Sequence, residues 1–213
     1  MWQVIGQEKA IRFVSSHLRR GEPAHAYLLV GPPHVGKTTL ALDMARAFNC
    51  LGADPPCGGC PACRRIAAGQ HSDVRLLGPL RNEDTGRLKR DIGIDQVKEI
   101  EKVIALPPFE GRYKVFILEG AERLSLEAAN CLLKTLEEPP PHALFILLTA
   151  HETELLPTVV SRCQRVELAP LPLERAEAAL VAQEGMAPSR ARLLAHLSQG
   201  CLGWAIQAAG DEQ

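Results

Sequence analysis

The stretch "GPPHVGKTT", Gly31 to Thr39, constrains this chain more than any other. Gly31, Gly36, Lys37 and Thr38 fit the pattern G-x-x-x-x-G-K-[S/T], between the apolar run "AYLLV" and the helical "TTLALDMARAF". A strand, a tight loop and a helix in that order are the setting in which this pattern cradles phosphates. Glycines let the backbone close around the anion with its N–H groups inward, at the positive end of a helix. Lys37 would meet the β- and γ-phosphates of a nucleotide such as ATP, and Thr38, followed by Thr39, would offer its hydroxyl to Mg²⁺. A competing reading, in which Gly31 and Gly36 merely form a tight turn, leaves Lys37 and both threonines unexplained.

The remaining pattern fits an α/β fold. Strand-like runs occur at "HAYLLV", "DVRLLGP", "YKVFILEG", "ALFILLT" and "RVELA", with helical patterns between them, which predicts a parallel sheet flanked by helices. "SLEAANCLLKTLEE" reads as a helix capped by Ser125 and stopped by Pro139, Pro140 and Pro141, with Leu126, Ala129, Leu132, Leu133 and Leu136 on its buried face. After Leu168 only short helical patterns follow, so a boundary is placed near Ala169: residues 1–169 form the nucleotide-binding-type domain and residues 170–213 a small helical one. "GPLRNEDTGRLKRDIG" is charged and reads as an exposed loop.

Cys50, Cys57, Cys60 and Cys63 fall in one Gly- and Pro-rich excursion, "CLGADPPCGGCPAC". Two overlapping C-x-x-C pairs can close four thiolates around Zn²⁺, and with every position taken by cysteine none is left for water, so the ion would be structural. A redox pair or small core residues are the alternatives, and the stretch is too polar for core and lacks a thioredoxin-like surround. Cys131 and Cys201 read as packing residues. The formal net charge of −1 gives no global field toward nucleic acid. No apolar run approaches the roughly 20 residues of a membrane span, and "MWQVIGQEKA" has no signal-peptide pattern, so a cytoplasmic location is expected.

"VFILEGAERLS", Val115 to Ser125, resembles the metal-binding strand of an ATPase, in which apolar residues lead to an acid, here Glu119. The next position, where such enzymes place a glutamate to activate water, is Gly120. Glu119 can equally be a strand-end carboxylate of no consequence.

Several stretches together resemble the AAA+ clamp-loader subunits of bacterial DNA polymerase III, and among them the delta-prime branch. They are "VIGQEKA", "HAYLLVGPPHVGKTTLA", the cysteine cluster, "HSDVRLL", "IDQVKEI", "AANCLLKTLEEPP" and "LLPTVVSRCQ", in order from Val4 to about Leu168. The resemblance implies an AAA+ domain with a zinc-binding insertion, a helical lid over residues 170–213, and a helical collar that would lie beyond Gln213, which makes this chain a fragment. It implies partners: the tau/gamma and delta subunits, and through the complex the sliding clamp and primed DNA. It implies that Arg162, in "SRCQ", reaches in trans into a neighbour's ATP site, that Thr149 senses the γ-phosphate, and that Val4, Ile5, Gly6 and Gln7 lie against adenine, although these four can also simply start a helix. Two positions depart from the motor pattern: Glu119-Gly120 replaces Asp-Glu, and Gly203 stands where the lid carries an arginine. The expectation is a largely non-hydrolysing subunit. An active tau/gamma-type ATPase, or a zinc-stabilised interaction module with a vestigial phosphate loop, are the rivals.

Overall fold

The computed structural model describes residues 1–80 and 91–210. The chain alternates as expected: α1 (Glu8–Arg20), β1 (Ala26–Val30), α2 (Lys37–Asn49), α3 (Pro61–Ala67), β2 (Val74–Leu77), α4 (Ile94–Ile104), β3 (Lys114–Glu119), α5 (Leu126–Glu137), β4 (Ala143–Thr149), α6 (Pro157–Val160) and β5 (Gln164–Glu167). Three helices follow, α7 (Leu173–Glu184), α8 (Pro188–Leu197) and α9 (Leu202–Gly210). The five strands lie in the order β2-β3-β4-β1-β5 and every pairing is parallel. The charged stretch expected as a loop falls, at residues 81–90, outside the described residues.

Strand alternation divides the core between the two faces. Tyr27, Leu29, Ile117, Ile146 and Leu148 point to one side, where α1 and α2 bring Val14, Leu40, Met44 and Phe48. Leu28, Phe116, Leu118, Phe145 and Leu147 point to the other, against Val97 and Ile100 of α4 and Leu132 and Leu136 of α5. Central strands covered on both faces need continuous apolar runs, and all seven residues of β4 are buried. The helices after β5 build their own apolar cluster from Leu171, Ala176, Leu180, Ala191, Leu194 and Ala205.

α5 starts as its cap predicts, with Ser125 Oγ accepting from Ala128 N–H at 3.2 Å. Its buried face differs from the expected one. Leu126 is 60% exposed and Leu133 half-buried, whereas Ala128 and Thr135 join Ala129, Leu132 and Leu136 inside. Leu126 sits at the first helical position, and burial begins two residues later at Ala128.

The register places the strand ends. Val30 pairs with Thr149 and Glu119 with Leu148, so the carboxyl ends of β1, β4 and β3 finish along one edge. In parallel sheets that edge is where ligands bind.

The stacked rings of Phe116 and Phe145, with centroids 5.7 Å apart, hold the second face together. Phe145→Ala should therefore cost about 3–5 kcal/mol of unfolding free energy, read from urea denaturation. A loss below about 1 kcal/mol would mean that the site collapses far more readily than close packing allows.

Candidate functional site

The phosphate loop is fixed by contacts at both ends. Gly31 N–H donates to the Thr149 carbonyl at 3.2 Å, tying the loop to β4. A Cβ at Gly31 would sit 2.5 Å from the Leu168 carbonyl oxygen, so only glycine fits. Gly36 enters α2 at φ 101°, in the left-handed region. Lys37 Nζ donates to the carbonyls of Gly31 and Pro32 at 2.7 and 2.8 Å. Burial pulls its pKa below the ordinary lysine value, against the opposing charges of Glu122, Cys201 and Glu119. Thr38 Oγ1 donates to Glu119 Oε1 at 2.6 Å, which brings together the hydroxyl and the carboxylate expected beside a Mg²⁺ ion. Thr149 is buried at the end of β4, and its Oγ1 accepts from His151 N–H at 3.0 Å.

Beside the loop is a cleft lined by Val4, Ile5, Gly36, Thr39, Leu171 and Gly203 among others. Val4 and Ile5 thus face the cleft, while Gln7 precedes α1 and its Nε2 donates to the Ala169 carbonyl at 2.8 Å. Gly203 N–H donates to the His34 carbonyl at 3.0 Å, and a Cβ at 203 would lie 2.8 Å from the same oxygen. An arginine could not stand there without moving α9 away from the loop. Gly120 has φ 67°, and a Cβ there would come within 3.3 Å of Arg123 Cδ. The backbone at that position is shaped for glycine.

Two groups near Lys37 escaped the sequence. Glu122 acts on the lysine charge, and its Oε2 is buried without a hydrogen-bond partner among the described residues. Cys201, read as a packing residue, also acts on Lys37, and burial raises its own pKa. Glu122 lies three residues past Glu119 in "VFILEGAERLS" and Cys201 in no quoted motif. Only the fold brings them in.

The four cysteines converge. Cys50 follows α2, Cys60 caps α3 and Cys63 lies in the first turn of α3, and the sulfurs of Cys50, Cys57, Cys60 and Cys63 all lie within 4.8 Å of one another. Tetrahedral Zn–S bonds of about 2.3 Å would bring sulfurs to about 3.8 Å, so little movement would close the site. Backbone N–H groups already point at the sulfurs: Gly52 and Cys57 at Cys50, Cys60 at Cys57, and Cys63 at Cys60, over 3.3–3.4 Å. Such donors favour thiolate. At Cys60 burial works against them, yet the N–H groups of Leu51 and Cys63 and the neighbouring thiols bring the pKa down to about 6. At Cys63 burial dominates and pushes it up to about 12. The donor set fits a single thiophilic ion.

Arg162 lies just beyond α6 at the surface. Its Nη2 pairs with Glu137 Oε1 at 2.6 Å and its Nη1 donates to the Thr158 carbonyl at 2.9 Å. An exposed pair of this kind holds its partners weakly and can exchange for a stronger anion.

A family model described as DNA polymerase III, delta subunit, matches residues 6–172. DNA polymerase III subunit tau of Bacillus subtilis is 39% identical over 166 residues, covering 77% of this chain and 28% of that protein. Subunit delta' of the same organism is 33% identical over 193 residues, covering 90% of this chain and 56% of its own length. This chain therefore spans only part of each relative. Among solved structures, the Thermotoga maritima RuvB Holliday junction branch migration motor superposes with a TM-score of 0.61 over 95% of this chain and 60% of that one, at 20% identity. That likeness is one of fold. Among the described residues, no helix is long and apolar enough to cross a membrane.

Elemental analysis of the chain purified without chelator should find one zinc ion per molecule. Replacing Cys60 by serine should lower that content and expose residues 51–59 to protease before the sheet unfolds, because the segment has little apolar content of its own. Zinc-free protein from such a preparation would count against the site.

Proposed function

The chain belongs to the DNA polymerase III, delta subunit family, whose relatives are clamp-loader subunits, and from that membership we propose that it acts as the delta-prime-type, largely non-hydrolysing member of a bacterial replicative clamp loader. In that role it would work beside tau/gamma and delta subunits to open the sliding clamp and place it on primed DNA. Residues 1–169 would be its AAA+ domain, and residues 170–213 its lid. Zn²⁺ on Cys50, Cys57, Cys60 and Cys63 would hold the inserted segment rigid.

The observation that carries this reading is Gly120. The chain has the phosphate loop and the Thr38–Glu119 pair, but the backbone after Glu119 is held in a left-handed turn with no carboxylate. ATP would seat on Gly31, Gly36, Lys37, Thr38 and Thr39 and Mg²⁺ beside Thr38 and Glu119, with Thr149 at the γ-phosphate. A bound Mg²⁺ would neutralise phosphate charge. No group at position 120 could take a proton from water, and that help is worth roughly 10²–10⁴-fold in rate. The contact of Gly203 with His34 supports the same reading, since it leaves no room for a lid arginine. Arg162, surface-placed and always charged, suits an arginine finger to a neighbour's phosphates.

The tau-type ATPase remains the second reading, favoured by the 39% identity to a tau subunit and the intact phosphate loop. Turnover separates the two. With saturating ATP and Mg²⁺ the pure chain should bind nucleotide, lose that binding in Lys37→Ala, and hydrolyse it far below the ~10 s⁻¹ of an ordinary enzyme. Turnover near that rate would establish the motor reading.

For Arg162 the assay is a reconstituted complex of full-length subunits. Arg162→Ala should leave zinc content and folding intact while reducing clamp-stimulated ATPase and clamp loading. Trans-acting arginines contribute ~10³–10⁵-fold at their own site, diluted here to a partial loss by the other ATP sites. Unchanged loading would return Arg162 to an ordinary surface ion pair.

A further inference from the structure

Among the described residues only two besides glycine have positive φ, His34 at 61° and Gln199 at 50°, and they stand on either side of one contact. Gln199 has an ordinary place. It follows the C-cap of α8, where helices commonly close on a left-handed residue, and with Gly200 it makes the turn that leads into α9. No helix ends at His34. It sits exposed inside the phosphate loop, just before Val35 and Gly36, and its carbonyl accepts from Gly203 N–H of α9 at 3.0 Å. A Cβ at Gly203 would lie 2.8 Å from that oxygen and 3.4 Å from His34 Cβ, so α9 is in direct contact with the strained residue. The helix is anchored elsewhere as well: Leu171 N–H donates to the Gly200 carbonyl at 3.0 Å, and Ala205 is buried in the apolar cluster of the last helices.

A side chain in the left-handed region brings its Cβ against the following carbonyl oxygen, and such a conformation persists only where the surroundings hold it. Here the hold is on the carbonyl itself. The His34 carbonyl and the Val35 N–H belong to one planar trans peptide, so fixing the first on Gly203 fixes the direction of the second. With Gly36 at φ 101° just beyond, the backbone takes the kind of turn that gathers successive N–H groups around an anion. We propose that His34 is a positioning residue through which docking of α9 sets the phosphate affinity of the loop. With Gly203 in place the peptide is held ready. Without it His34 relaxes toward an ordinary φ, the peptide turns over, and the loop must recover the strained form before it can hold phosphate. Glycine at this position would take either form at little cost. The Cβ, and not the imidazole, makes readiness depend on α9. Because coupling is reciprocal, phosphate on the loop also tightens α9 against it. The inference rests on the phosphate-loop reading of residues 31–39 and is independent of hydrolysis and of zinc.

The test is a double-mutant cycle on the whole chain, read as affinity for inorganic triphosphate by titration calorimetry. That probe carries no base, so changes in the cleft that Gly203 also lines do not enter. Gly203→Ala should weaken binding about 5- to 30-fold, the strain of one left-handed residue. His34→Gly should bind at least as tightly as the wild type, and should lose less than about 2-fold when Gly203→Ala is added. His34→Ala keeps the Cβ and should respond to Gly203→Ala as histidine does. Equal losses in the wild-type and His34→Gly backgrounds, as an unfolded α9 would give, overturn the proposal, and so does a wild-type background that ignores Gly203→Ala. Because that variant disturbs packing, the wild-type chain supplies a second measurement: saturating triphosphate should slow amide exchange at Gly203, resolved by NMR, by the same factor while β4 amides keep their rates. An unaffected Gly203 amide overturns the proposal without any variant. Triphosphate binding that Lys37→Ala abolishes and Gly203→Ala leaves intact removes this inference alone, whereas a chain that binds no triphosphate removes the phosphate-loop reading with it.

Discussion

The candidate site depends on the parallel register of β3, β4 and β1. Because Val30 faces Thr149 and Glu119 faces Leu148, three strands deliver their last residues to one edge, and the phosphate loop leaves that edge from the end of β1, beside β4. A shift of one residue in β3 would turn Glu119 to the opposite face and break its contact with Thr38. The register is in turn fixed by burial on both faces: β4 has no exposed side to slide toward, and its alternate residues fill two different cores. The chemistry at the edge thus inherits its precision from apolar packing some distance away.

Much of this was legible because it is local. The phosphate loop, the cap at Ser125, the five apolar runs and the cysteine spacing each need only a few consecutive residues to be read. What was not legible depends on chain segments far apart in sequence. Asp43, Arg46, Asn49 and Asp73 look like ordinary polar residues, yet all are buried, Asp43, Asn49 and Asp73 because each accepts from backbone N–H groups elsewhere and Arg46 because it pairs with Asp43. Asn49 Oδ1 accepts from Arg112 and Tyr113 N–H, and Asp73 accepts from Phe109, Glu110 and Gly111 N–H, so two side chains secure five consecutive amides. Burial works against the Asp73 carboxylate, but those three donors outweigh it and its pKa is lowered. The same limit explains Leu126, which the helical pattern placed on the buried face and the fold leaves exposed. It also explains Glu122 and Cys201, drawn to Lys37 only by the fold.

The glycines at 120 and 203 carry different weight from glycines in ordinary turns. At 203 the missing side chain makes room for a hydrogen bond between α9 and the phosphate loop, and any Cβ would strike the accepting carbonyl. At 120 the backbone has taken a conformation that side chains rarely adopt. Restoring an acid at 120 would require the turn to change, and restoring an arginine at 203 would require the helix to move. The two departures from the motor pattern are therefore built into the backbone. Neither would be reversed by exchanging one side chain.

Binding and turnover also separate on physical grounds. Lys37 is half-desolvated and bonded to two carbonyls of its own loop. A phosphate arriving there would replace neutral acceptors with charged ones, and charge-assisted bonds are roughly twice as strong. The exchange restores the lysine's preference for its protonated form, which burial had weakened. Nothing in that step involves Gly120. Hydrolysis, by contrast, needs a proton acceptor aimed at water during the reaction, and the strength of ground-state binding cannot supply one. A subunit of this kind would hold nucleotide as a fixed structural element, and its effect on an assembly would come from the shape it keeps and from the charge it presents at Arg162.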